Sequence, residues 1–296
     1  MQNPPNRQQE RQGYLLVFLG GALWATIGLF ITELGKLGLS IEMIAFLRVA
    51  FATLIMLVLT VIRYGWASLK ISKKELLICF LLGIICHGIY NIFYNIAVIE
   101  TGVAVSAVLL DLAPALTLIF SMFFFHEKTD GRKNLAIGIN ILGCILAATG
   151  GNFTASALPL LGLLAGAGAG FCYALTAIIG RVAGSGSNSF VISTYSYLAA
   201  ALCLLPLVPR TEFPTITASG YLLAAAFALI PTAIAYVLYY EGVFRISESS
   251  KVPVIASIET VLAIVFGILL YSEPFNTIKI IGSVLVIASI VLMSRK

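Results

Sequence analysis

The sequence predicts an all-α polytopic membrane protein with ten transmembrane helices. Composition is the first ground: of 296 residues, 60% are hydrophobic and only 10% are charged, where a soluble domain carries about a quarter. Run length is the second. No Asp, Glu, Lys or Arg occurs from Asn134 to Gly180 or from Phe213 to Tyr240, and a helix needs only about 20 such residues to cross a bilayer. The third is punctuation, in the form of short polar links that cut the remainder into pieces of spanning length.

The opening thirteen residues are polar and carry Arg7, Glu10 and Arg11. They look like the charged front of a signal peptide, but the apolar run behind them is long and many more follow. Residues 1–13 are therefore expected to be a cytoplasmic tail and 14–33 a retained span. Spans follow near 41–62, which holds Arg48; near 76–98, which holds CHGIYNIFYN; and near 103–126, which holds Asp111 and Pro114. The uncharged run after Asn134 is broken at GGNFTASALP into 134–150 and 159–180. The last four spans are expected at 189–208, 218–243, 252–272 and 277–294. Pro231 lies within the 218–243 span, where a missing N–H invites a kink. On this topology fourteen basic residues fall on the side of the termini, three (Lys36, Arg210, Lys279) on the other, and Arg48 within a span. The asymmetry places both termini in the cytoplasm, for a multi-pass protein of the cytoplasmic (inner) membrane.

Several function classes drop out. The net charge of +5 is spread over short links, so no basic face exists for nucleic acid, and an anionic bilayer surface is the better partner. Cys79, Cys86, Cys144, Cys172 and Cys203 lie in apolar runs without a C-x-x-C pair, which indicates neither a metal site nor a disulfide framework. There is no phosphate-binding Gly-rich loop, no H-E-x-x-H and no filter-like loop. No cofactor is expected. A secondary carrier is preferred to a channel and to an integral-membrane enzyme acting on a lipid-linked substrate.

The chain also repeats itself. A shift of 146 residues lays Tyr90 on Tyr236, Tyr94 on Tyr240 and Glu127 on Glu273, and sets APALTLIFSMFFFHEK over ETVLAIVFGILLYSEP. Five spans per half is an odd number, so the halves must run oppositely through the membrane. Two inverted five-helix repeats of this kind place a solute site near mid-depth, between the halves.

Trp24-Ala25, Arg48 in IAFLRVAFA, SAVLLDLAPALTLIFSMFFFHEK and IASIETVLAIVFGILLYSEP follow one another in that order. Through them the sequence resembles the EamA family of the drug/metabolite transporter superfamily. The resemblance implies one EamA-like five-helix repeat over 14–150 and a second over 151–296. It also implies a small-metabolite carrier, for amino acids or related compounds, working outward or by exchange. One departure is visible: the second repeat reads Glu259-Thr260 where the family often has Glu-Pro, so the bend expected at Pro114 is not signalled in the 252–272 span.

Ionisable groups inside hydrocarbon are costly, and Arg48, His87, Asp111 and Glu259 all fall there. Arg48 offers a permanent planar cation suited to a carboxylate; the alternative is internal pairing with Asp111. Asp111 and Glu259 are candidates for proton coupling or for paired structural charges. In CHGIYNIFYN, a spacing of four places His87, Asn91 and Asn95 on one helical face, with Tyr94 beside them. That face is expected to line the cavity opposite Tyr236 and Tyr240, with Trp24 and Tyr173 as walls; the alternative is polar glue between helices. Gly162, Gly166 and Gly170 read as a packing stripe. Glu127 and Glu273 read as helix-end anchors or gate contacts, and the charges of FRISESSK (244–251) as solvated. Helices 5 and 10, the 134–150 and 277–294 spans, carry no charge deep within them and are expected at the periphery as supports or as a homodimer contact. The solute itself does not follow from these residues.

Overall fold

The computed structural model describes residues 7–101, 106, 109–151, 159–183, 188–271 and 276–294. All regular structure among them is helical, as it must be where no water is present to satisfy an open backbone. The chain starts with α1 (Arg7–Trp24) and α2 (Ile27–Lys36). These form one apolar stretch, interrupted where the Thr26 hydroxyl donates to the Leu23 carbonyl at 2.7 Å. Ser40 caps α3 (Ile41–Tyr64), and Gly65, at φ +74°, ends it. A Ser72/Glu75 capping box starts α4 (Lys73–Leu81), which widens into a π-helical segment, Leu82–Ile89, before α5 (Tyr90–Thr101).

After a turn at Asp111 and Leu112 comes α6 (Ala113–Phe125), with Pro114 in its first turn, where a missing N–H costs nothing. Asp130 caps α7 (Gly131–Thr149). Then come α8 (Leu160–Ala183) and α9 (Ser189–Leu204), the latter capped by Asn188. Next is α10 (Ala218–Ala228), which passes through a second π segment, Leu229–Ile234, into α11 (Ala235–Val243). A short α12 (Val252–Ala256) breaks at Ser257 into α13 (Ile258–Tyr271), and α14 (Thr277–Ser294) closes the bundle.

Among the described residues, eight helical stretches are long and apolar enough to cross a membrane. The two further expected spans differ for identifiable reasons. Of the 103–126 span, α6 supplies 13 residues, and much of its upstream part lies outside the described residues. The α7 helix has 19 residues, but Arg132, Lys133, Asn134 and Asn140 dilute its apolar character. Of the expected tail 1–13, residues 7–13 are described, and they form the first turns of α1. Gly13 lets α1 pack closely on α11, and the Ser247 hydroxyl donates to buried Glu10 at 2.8 Å. The 252–272 span bends without the proline: the Ser257 hydroxyl donates to the Val254 carbonyl at 2.6 Å, just at the break between α12 and α13.

Small residues set the tightest approach. A Cβ on Gly143 would lie 2.8 Å from the Val286 amide nitrogen and 2.9 Å from the Gly282 carbonyl oxygen, so α7 and α14 meet backbone to backbone. The stripe Gly162, Gly166 and Gly170 packs against Glu100, Thr101 and Leu109. Two irregularities recur at the repeat spacing. The turn at Asp111 has its counterpart at Ser257, 146 residues on, and the π segment of the third span has its counterpart around Pro231.

Candidate functional site

The helix breaks converge on one cavity of about 560 Å³, within the size range of small-molecule sites. Its lining reaches Thr32, Ile41 and Lys279, at the end of the bundle away from the termini, and runs inward to Tyr173, Pro253 and Ser257. Of the residues predicted from sequence, Trp24, Arg48, Asn91, Tyr94, Asn95, Asp111, Tyr173 and Glu259 all line it.

Arg48 is the only one of these that is a fixed cation. Its Nε donates to the Thr232 hydroxyl at 2.9 Å, and its guanidinium carbon lies 5.0 Å from the centre of the Phe227 ring. Among the described residues no carboxylate comes within ion-pair distance of it. Internal pairing of Arg48 with Asp111 is therefore absent. The cavity thus holds a cation on α3 and carboxylates from two broken helices, Asp111 ahead of α6 and Glu259 in the first turn of α13.

Three residues of the expected set lie outside this lining. His87, Tyr236 and Tyr240 do not line the cavity; they form a packed aromatic layer behind its wall. The His87 ring lies 4.6 Å from Tyr236 and 5.2 Å from Tyr197, and its Nε2 is 3.3 Å from the Tyr240 hydroxyl. Trp24, at 4.8 Å from Tyr236, separates that layer from the cavity. The cause is local: His87 sits in the π-helical segment, whose wider turn breaks the four-residue register linking it to Asn91 and Asn95. The Asn91 amide turns back to donate to the His87 carbonyl. Tyr90, one residue off the expected face, stacks on Tyr94 at 5.8 Å and supports the cavity wall from behind.

Sequence reasoning missed Lys279, Thr32, Ser257 and Thr260 in the lining. Lys279 entered the sequence reading only as one of the three basic residues on the far side, although it belongs to the first turn of α14. Ser257 and Thr260 carry no charge to draw attention, but the 146-residue shift lays them on Asp111 and Pro114.

The model of the EamA-like transporter family matches residues 11–149 and, again, 160–295. The chain belongs to the EamA-like transporter family. An "Uncharacterized transporter" of Archaeoglobus fulgidus is 24% identical over 287 residues and is covered, like this chain, over 97% of its length. The "Uncharacterized inner membrane transporter YicL" of Salmonella typhimurium is 24% identical over 293 residues, covering 96% of this chain and 95% of its own. A solved crystal structure shares the fold at a TM-score of 0.81, with 17% identity and 96% of this chain covered. This EamA-like chain is thus a multi-pass membrane protein of a transporter family.

The terminal end of the EamA-like bundle is tied shut by buried charge. Arg181 pairs with Glu127, whose carboxylate also accepts from the Ser249 amide at 2.7 Å and the Ser250 hydroxyl at 3.0 Å. Lys133 pairs with Glu248, and Lys251 lies 2.8 Å from Glu248, 3.6 Å from Glu10 and 3.1 Å from the Tyr14 hydroxyl. The expectation that the 244–251 charges are solvated is corrected for Lys251, which is 5% exposed. Burial alone would raise the Glu248 carboxyl, but hydrogen bonds from Lys133 and Lys251 hold it below the ordinary glutamate range. Glu273, paired with Glu127 by the repeat, lies outside the described residues. Among the described residues, no group of three or more His, Cys, Asp or Glu gathers as a metal site.

Proposed function

We propose that this protein is a secondary transporter that moves a small polar metabolite, an amino acid or related compound, across the cytoplasmic membrane by alternating access. The observation that carries the reading is Arg48, a cation without a carboxylate partner among the described residues, facing a cavity that also holds Asp111 and Glu259. A solute bearing both a carboxylate and an ammonium group complements that arrangement. Asp111 and Glu259 are the groups through which a proton would couple to transport, and efflux or exchange is the direction we assign. Ten helices in two inverted five-helix repeats, with both termini cytoplasmic, form the accompanying architecture. Support for it comes from the family model matching twice and from the irregularities that recur at the repeat spacing. The lipid bilayer is the surrounding partner, and nucleic acid is not one.

Alternating access asks that the cavity open to one side at a time. The lining supports opening at the end away from the termini, while the buried ion pairs at the terminal end act as the closed gate. Each of these pairs joins a residue before 150 to one after 160, so rocking of the halves would separate them. A homodimer would meet through α7 and α14, whose paired outer faces expose Leu135, Leu142, Val284 and Val291.

The test is movement of labelled amino-acid pools in sealed vesicles, with and without a proton gradient. Wild-type protein is expected to exchange part of the pool. Arg48→Lys keeps charge but loses the planar fork, and apparent affinity should fall about tenfold with folding intact. Normal transport by Arg48→Lys alongside misfolding of Arg48→Gln would show Arg48 to be structural.

A further inference from the structure

The way Arg48 is held says how it meets a solute. Pro231 has no N–H, so the Phe227 carbonyl four residues upstream lacks its usual helical donor. The helix widens there into the π segment Leu229–Ile234, and the Thr232 hydroxyl donates to that carbonyl at 3.0 Å. A hydroxyl has one proton to give. With it committed to Phe227, the Thr232 oxygen is left as an acceptor, and the Arg48 Nε–H fills it at 2.9 Å. Thr232 is itself pinned, because the Tyr197 hydroxyl from α9 donates to its carbonyl at 3.1 Å. The Phe227 ring, 5.0 Å from the guanidinium carbon, supports the cation.

We propose that Thr232 is a positioning residue that aims Arg48, occupying its Nε edge and turning its Nη edge into the cavity so that a carboxylate docks end-on. What the cavity carries rests on the transport reading above; how Arg48 is aimed rests on this geometry alone. The arrangement also joins the halves, since Arg48 lies on α3 and Thr232 beyond α10. A side-on carboxylate, using Nε and one Nη, is excluded for as long as Thr232 holds Nε.

Phenylglyoxal, a small uncharged reagent for guanidinium Nη groups, tests the aim directly. Full-length protein in lipid nanodiscs is treated, and the adduct on Arg48 is measured by peptide mass. Wild-type Arg48 should react, Thr232→Ser should match it within about twofold, and Thr232→Val should be slower by about fivefold. The same variants are assayed in vesicles with radiolabelled amino acids. Thr232→Val should raise the half-saturation concentration about tenfold at unchanged maximal rate. In an Arg48→Lys background it should add nothing, because lysine has no Nε–H to aim. An unreactive wild-type Arg48, an Arg48 adduct rate in Thr232→Val equal to or above wild type, or effects that simply add in the double variant would each overturn the proposal. If the adduct pattern holds but wild-type vesicles move none of the pool, the transport reading falls and the positioning role stands.

Discussion

At the scale of single residues, the π turn decides which polar groups meet the cavity. Cys substituted at Asn91 or Asn95, in protein whose native cysteines are replaced, is expected to react with small hydrophilic maleimides. Cys at Tyr236 or His87 should react at least about tenfold more slowly, because both lie in the aromatic layer behind Trp24. Equal rates at all four positions would place the aromatic layer in water and refute the assignment. Arg48, Asp111 and Glu259 were legible from sequence because an ionisable group in hydrocarbon must find a polar surrounding, whatever the helix geometry. His87 was not. Its place depended on a phase of 3.6 residues per turn that the π segment breaks, and nothing in the letters ICHGI marks a π turn.

At the scale of elements, capping residues and apolar runs made most helices readable, while the breaks within spans were only half readable. Pro231 announced a kink, and the structure resolves it as a π segment. Ser257 announced nothing, since a serine bends a helix only through the hydrogen bond it happens to make. Pro231→Ala restores an N–H to the Phe227 carbonyl and is expected to close the wide turn. Circular dichroism should then show equal or higher thermal stability, while transport weakens as Thr232 rotates from Arg48; unchanged transport would separate the turn from the site. Gly143→Leu forces α7 from α14 and should cost about 1–3 kcal/mol, read as a lowered melting temperature in detergent. A neutral result would mean that these backbones are not in contact.

At the scale of the whole molecule, the membrane class and the family were legible because composition and the order of motifs survive without side-chain detail. The closed terminal end was not, because pairing among Glu10, Glu127, Lys133, Arg181, Glu248 and Lys251 depends on which helix ends meet. Lys133→Glu should lower stability by about 2 kcal/mol, and adding Glu248→Lys should recover part of it; no recovery would show the pair to be uncoupled. Glu248 titrates below its ordinary value, so its contribution is complete above about pH 4.5 and is lost as acid takes the carboxylate through its folded value. Melting temperature should therefore fall in that acid range, and less steeply in Glu248→Gln; parallel curves would remove Glu248 as the cause. Tags at both termini should be shielded from an impermeant reagent on intact cells, and labelling of either would reverse the orientation. The closed end also bears on how the membrane potential acts on the protein. Its three cations and three carboxylates cancel in total, but they divide unevenly between the halves: Glu10, Glu127 and Lys133 sum to −1, and Arg181, Glu248 and Lys251 sum to +1. Rocking that displaces one set against the other along the membrane normal therefore moves charge through the field, where a full unit feels about 2.3 kcal/mol at about 100 mV. The rate of opening at that end should depend on voltage, and a voltage-independent rate would show that the pairs part sideways.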